Sequence, residues 1–236
     1  NQGMSFLACF ALAGVLGQQN PEPQRLESAA GTYKTHAVAS QILNNTRDIT
    51  VLLTEGYEKE AKARYPVLYM HDAQNIFNGK TSYIPNQEWR ADETSRALAR
   101  MGSVQKLIIV GIPNMGADRG NEYLPTAATM GRPGQQETMG GKADLYGRFL
   151  IEEVKPLIDK EYRTKKGPGD TGLCGSSFGG IVTLHLGMTR PDVFGRLGVV
   201  SPSLWWDTGV MQKKLEAMKF PWKVRLWVDI GTGERL

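Results

Sequence analysis

Six residues constrain this chain more than any others: Gly175-Ser176-Ser177-Phe178-Gly179-Gly180. They lie between a short apolar run at 171–174 and a segment at 178–189 that is apolar nearly all round. A buried strand that turns abruptly into a buried helix leaves no room for side chains two residues either side of the turn, and G-x-S-x-G supplies glycine at both places. Such a turn strains the backbone of the central serine. It also lifts the hydroxyl above the end of the strand, where free amides and the helix dipole favour developing negative charge. Ser177 is therefore the candidate nucleophile, and the amide of Phe178 a candidate oxyanion donor. Ser176 has the wrong spacing to the glycines for that role. A glycine-rich connection without chemistry is the competing reading, and the strand before and helix after the motif favour the first.

The rest of the pattern fits a sheet that such a turn could cap. Residues 35–41 and 48–54 read as two strands of a hairpin turning at Asn44-Asn45. Runs at 66–70 and 106–112 are short and continuously apolar, as strands buried on both faces of a parallel sheet are. Helical spacing predicts a helix over 89–101 and a long amphipathic one over 144–162, with Tyr146, Leu150, Val154 and Ile158 on its apolar face and a kink at Pro156. Residues 114–141, rich in Gly, Met and Gln, read as a loop, and 197–200 and 223–230 as further strands. Strands alternating with helices after an initial hairpin predict an α/β domain with a mostly parallel sheet and helices on both faces. That domain is expected over 32–236, with no internal repeat.

Composition removes several function classes. Of 236 residues, 41% are hydrophobic and 22% charged, ordinary for a globular protein. The net charge of +4 comes from scattered Lys and Arg with no basic block, so nucleic acid is not an expected partner. Two cysteines, Cys9 and Cys174, make neither a disulfide framework nor a metal site, and no metal or organic cofactor is expected. Cys174, beside the elbow but within its strand, reads as a buried structural thiol. No stretch of 18 apolar residues predicts a transmembrane helix. Residues 5–16 are apolar or small and end near Gly17, which reads as a secretory-signal-like segment over 1–17, followed by a Gln-, Pro- and Glu-rich linker over 18–31. Secretion or a periplasmic location is the expectation, with a cytoplasmic one as the alternative, since no Lys or Arg precedes the run.

From about residue 66 to residue 234 the chain resembles the bacterial putative-esterase family, which includes enterochelin esterases, feruloyl and acetyl-xylan esterases and related carboxylesterases. The matching stretches include Tyr65-Pro66-Val67-Leu68-Tyr69-Met70-His71-Asp72-Ala73-Gln74-Asn75, Asn121-Glu122-Tyr123-Leu124-Pro125, Ser201-Pro202-Ser203-Leu204-Trp205-Trp206 and Asp229-Ile230-Gly231-Thr232 with Glu234. Ala73 stands where relatives usually carry glycine, and alanine still supplies an amide. The resemblance implies the α/β-hydrolase fold and hydrolysis of small-molecule carboxylic esters through an acyl-enzyme, with acylated sugars and siderophore-like esters as substrate classes. Acyl transfer to an acceptor other than water is equally compatible with the fold.

In that fold the second oxyanion donor comes from the loop after the third strand, here the amide of Ala73 or Gln74. The triad acid follows the strand at 223–230: Glu234 is favoured over Asp229. The chain has only three histidines, His36, His71 and His185, all before the acid. His185 lies eight residues beyond Ser177 on the same helix, roughly 12 Å along the axis at 1.5 Å per residue, and reads as a packing residue. His36 lies on the first hairpin. His71, beside the oxyanion loop, is a candidate for ordering that loop or touching substrate, and the one upstream histidine that could replace the base. Trp205 and Trp206 follow a strand at the sheet's carboxyl edge, and either stack on substrate or plug the loop. In relatives the histidine follows the acid, so a C-terminally truncated domain, lacking its last strand and helix, is the simplest expectation. A non-catalytic α/β-hydrolase scaffold is the alternative, and the intact elbow argues against it.

Overall fold

The computed structural model describes residues 32–132, 134–219 and 221–233. The signal-like segment, the linker, Cys9 and Glu234 lie outside the described residues. In chain order the elements begin with β1 (Thr32–Ser40), β2 (Asn45–Leu53), β3 (Val67–His71), α1 (Ala91–Arg100) and β4 (Ile108–Ile112). Then come α2 (Arg119–Tyr123), β5 (Ala127–Met130), β6 (Glu137–Gly140), α3 (Ala143–Arg148) and α4 (Lys155–Glu161). The series closes with β7 (Thr171–Ser177), α5 (Phe178–Thr189), β8 (Arg196–Pro202), α6 (Val210–Glu216) and β9 (Arg225–Asp229).

Seven strands form one sheet in the order β1-β2-β4-β3-β7-β8-β9. The β1–β2 and β2–β4 pairs are antiparallel, and every pair from β4 to β9 is parallel. This is the mostly parallel sheet with an N-terminal antiparallel hairpin that the strand pattern predicts. Alternation along the central strands builds a core on each face. Val67 and Tyr69 of β3 and Ile108, Val110 and Ile112 of β4 point to the larger core, with Tyr146, Phe149, Ile158, Ile181 and Val182 from the helical side. Leu52, Met70 and Ile109 point the other way, to a smaller core closed by Ile76, Phe77 and Ala91 at the start of α1. Each fully buried aliphatic or aromatic side chain contributes about 1.5–3 kcal/mol relative to exposure. The continuous apolar runs read in the sequence are these two-faced strands.

The differences from the sequence reading are local. The first hairpin turns over 41–44, with Asn44 in the left-handed region at φ 51° and Asn45 already paired with Ser40. The span 114–141 is not one loop: it holds the single turn of α2 and the small β5–β6 hairpin. Both are short and carry weak apolar periodicity, so local pattern could not reveal them. The helix expected over 144–162 is α3 and α4 joined by a π-helical stretch, Phe149–Val154. Pro156 has no N–H for the carbonyl of residue 152, and its ring would crowd that carbonyl. The chain absorbs this by widening the turn before the proline, which then sits near the start of α4. The expected apolar face holds, with Tyr146, Leu150, Val154 and Ile158 all buried. α6 was not read from the sequence; it buries Met211 and packs Val210 and Leu215 against the larger core.

Candidate active site

β7 ends in an irregularity. Its parallel pairing with β8 runs in register to Ser176 opposite Val200, then shifts so that Ser177 faces Pro202. Ser177 adopts φ 56° and ψ −121° as the N-cap of α5. A non-glycine residue held there costs on the order of 1–3 kcal/mol, and persists only where its surroundings fix it. Two contacts from Ser203 do so. The amide of Ser203 donates to the Ser177 carbonyl at 3.3 Å, and the two hydroxyl oxygens lie 3.0 Å apart. Ser177 itself is half-buried and Ser203 buried. The glycines fit as the turn requires: a Cβ at Gly179 would approach the Asp72 carboxylate to 3.3 Å, and one at Gly180 the Val200 carbonyl oxygen to 3.2 Å.

The loop after β3 lies against this turn. Asp72 is in the left-handed region at φ 60° and ψ 54°, and caps a single 3₁₀ turn, Ala73–Asn75. The first amides of such a turn have no carbonyl within it to bond, so those of Ala73 and Gln74 are open to an acceptor. The Gln74 side chain is held in place: its amide nitrogen donates to the Asn114 carbonyl at 2.9 Å, and its oxygen accepts from the Asn114 N–H at 3.2 Å.

Asp72 is buried and fully engaged. It accepts two bonds from the Arg119 guanidinium at 2.8 and 2.9 Å and a third from the Asn114 side chain at 2.6 Å. Arg119 stacks over the rings of Tyr123 and Phe178, at 5.1 and 5.6 Å, and reaches the Ser176 carbonyl at 3.5 Å. Burial works against the Arg119 charge, but bonding and attraction to Asp72 outweigh it and raise its pKa, so the guanidinium keeps its charge. Three residues further along α2, Glu122 receives two bonds from Arg47 of β2, at 2.7 and 3.1 Å, and both side chains are buried. Sequence reasoning quoted Asp72, Glu122 and Ser203 as family-like residues without giving them work, and did not single out Arg119 or Asn114.

The histidines are spread across the domain. His36 on β1 bonds the Tyr162 hydroxyl. His185, inside α5, bonds Asp144 at 2.8 Å and is buried, with its pKa lowered by burial although Asp144 opposes this. His71 is buried beneath the elbow between the rings of Tyr123 and Tyr146. Its Nδ1 lies 2.9 Å from the Tyr146 hydroxyl, and its Nε2 is buried without a hydrogen-bond partner. Burial drops its pKa to about 4, which Asp72 resists and Arg119 reinforces. A buried neutral imidazole presents no face to a substrate. Trp206 is likewise fully buried, its indole N–H donating to the Thr126 carbonyl at 3.3 Å. Trp205 is half exposed, with its ring 6.1 Å from that of Phe178 beside the elbow. Asp229 ends β9 in an exposed position, in register with Val200 of β8. Burial raises the Cys174 thiol to about 11. Among the described residues, no three of His, Cys, Asp and Glu gather as a metal site would require, and no helix is long and apolar enough to cross a membrane.

The chain is similar to several known proteins. The ferri-bacillibactin esterase BesA of Bacillus subtilis is 29% identical over 182 residues, which cover 73% of this chain and 60% of BesA. The chain therefore spans less than two thirds of the length of this curated relative. Among solved structures, an IroE-like serine hydrolase from Shewanella oneidensis superposes with a TM-score of 0.64 at 28% identity, covering 78% of this chain and 55% of that one. The BES protein of Bacillus cereus superposes with a TM-score of 0.65 at 21% identity, covering 94% and 80%, and shares the α/β-hydrolase fold. The model of the family described as "Putative esterase" matches residues 40–236, and with most of its length inside that match the chain belongs to this esterase family.

Proposed function

We propose that this chain carries the nucleophile and oxyanion hole of a serine carboxylic-ester hydrolase. The observation that carries the reading is Ser177: a half-buried serine held in a strained conformation where a strand meets a helix, with open amides beside it. A histidine, oriented by Glu234 or Asp229, takes the Ser177 proton as Oγ attacks the ester carbonyl. The carbonyl oxygen becomes an oxyanion received by the amide of Phe178 and that of Ala73 or Gln74. The C–O bond to the alcohol then breaks, the histidine returns the proton to the leaving oxygen, and water releases the acid from Ser177. His36 and His185 are engaged elsewhere and His71 is buried and neutral, which supports a base placed after the acid, as the family resemblance implies.

The substrate is a small ester. The name of the Bacillus subtilis relative supports a siderophore-like one, and the half-exposed Trp205 beside Phe178 suits an aromatic acyl group or a sugar face equally. The apolar run at 5–16 supports export. The test is turnover of p-nitrophenyl acetate and butyrate by this chain, by the reading frame extended to its stop codon, and by the extended Ser177→Ala variant. Loss of at least a thousandfold in kcat on Ser177→Ala is the expected result. Undiminished turnover by that variant sinks the proposal.

A further inference from the structure

We propose that Asp72 and Arg119 form a positioning brace that sets the spacing between the two halves of the oxyanion hole. The inference rests on the esterase reading of Ser177 and adds to it two residues that never touch the reacting atoms. One candidate donor, the amide of Ala73 or Gln74, sits on the loop after β3; the other, the Phe178 amide, begins α5. Backbone pairing of β3 with β7 runs only as far as Met70 opposite Cys174; past that point the two amides lie on separate turns, and side chains set their final separation.

Asp72 is the residue just before Ala73, and its left-handed backbone decides where the next two amides point. An aspartate pays for that conformation only if its carboxylate is held, and three charge-assisted or polar bonds hold it, two from Arg119 and one from Asn114. The same guanidinium lies against the Phe178 ring and reaches the Ser176 carbonyl, so one cation touches both sides of the turn and the carboxylate. The Asp72 carboxylate in turn packs where a Gly179 side chain would begin, at the first turn of α5. Its negative charge is favourable there, near the helix N-terminus. A planar two-pronged bond fixes distance and angle together, which a lysine could not do.

The experiment uses the extended enzyme with Asp72→Asn, Asp72→Gly, Asp72→Ala, Arg119→Met and the double variant Asp72→Asn/Arg119→Met. Readouts are kcat and KM on p-nitrophenyl butyrate, thermal unfolding, and amide hydrogen exchange of residues 73–76. Glycine and asparagine tolerate the left-handed backbone and alanine does not, so the order separates backbone from ion pair. The brace predicts kcat reduced by roughly tenfold to a hundredfold for Asp72→Gly and Arg119→Met, with KM within about twofold, since misplacement of about 1 Å costs on that scale. Asp72→Ala is worse than Asp72→Gly, Asp72→Asn is mildest, and the double variant is no slower than Arg119→Met alone. Exchange at 73–76 quickens in the same order. If Ser177→Ala abolishes turnover while Asp72→Gly and Arg119→Met keep kcat within twofold, the brace is overturned and the esterase reading stands. If kcat losses vanish at temperatures where the variants are fully folded, the pair is structural only and the inference is likewise overturned. Should Ser177→Ala remain active, the esterase reading fails, and unchanged exchange at 73–76 would then refute the brace by itself.

Discussion

A methyl group added at Gly175 would sit 2.7 Å from the Gly179 carbonyl oxygen and 2.8 Å from Cδ2 of His71, closer than real Cβ atoms come. Neither neighbour can retreat, one being helix backbone and the other a ring wedged between two tyrosines. Gly175→Ala is expected to cost about 2 kcal/mol of stability, measured by urea unfolding, as overpacked sites do. A variant as stable as the parent would show that the turn is looser than its geometry implies. His71 makes a second residue-scale prediction. Its pKa falls from 6.5 to about 4 on folding because burial disfavours the imidazolium. Between those values the unfolded chain binds the proton and the folded chain does not, so this part of the stability is whole above pH 6.5 and drains away as pH drops toward 4. The loss amounts to about 3 kcal/mol at most. His185 acts with the same sign. The difference in unfolding free energy between pH 7 and pH 4.5 should therefore be smaller in His71→Gln than in the parent, and equal slopes would contradict the assignment.

Elements in this domain are joined by ion pairs that no local pattern announces. Arg47 of β2 and Glu122 of α2 are 75 positions apart and fully paired out of water, with the guanidinium also over the Phe149 ring at 4.8 Å. Removing one partner leaves a buried charge alone, so Arg47→Met should cost about 3–5 kcal/mol, whereas Arg47→Met/Glu122→Leu should cost much less. Thermal or urea unfolding of the three proteins decides this, and equal losses in the single and double variants would contradict it. The contrast explains what could be read in advance. Strands β3 and β4 announce themselves because each is almost wholly apolar and buried, α5 because it is apolar nearly all round, and β7 from its place before the elbow. The elbow is legible because sterics restrict it to one residue pattern. α2 and the β5–β6 hairpin escape notice because they are short and owe their place to partners distant in sequence: Glu122 to Arg47, and Gly140 to Asn121, whose side chain accepts its amide at 3.0 Å. Arg119 was missed for the same reason, since its partner Asp72 lies 47 positions away. The long helix was legible in its buried face but not in its π-helical turn, because Pro156 can be met by a kink or by a widened turn and the sequence does not choose.

At the scale of the whole molecule, the sheet presents β9 with Leu226 41%, Trp227 70% and Val228 49% exposed, paired through its backbone with β8. An apolar strand open on both faces is an aggregation hazard, so the 236-residue chain is expected to self-associate with rising concentration and Trp227→Lys to lessen this, as read by light scattering. A monodisperse monomer for both would contradict that expectation. The same sheet carries Ser177 of β7, Ser203 beyond β8 and Asp229 of β9 at the carboxyl ends of neighbouring strands, the edge where open α/β sheets hold their ligands. Ester hydrolysis is proposed to run through a covalent bond to Ser177. Its most direct test is to mix the extended protein with p-nitrophenyl acetate, quench with acid during the first turnovers, and locate the label by peptide mass spectrometry. An acetyl group on the peptide bearing Ser177, absent in Ser177→Ala, is the result expected; p-nitrophenol release with no acyl group on Ser177 would contradict the account.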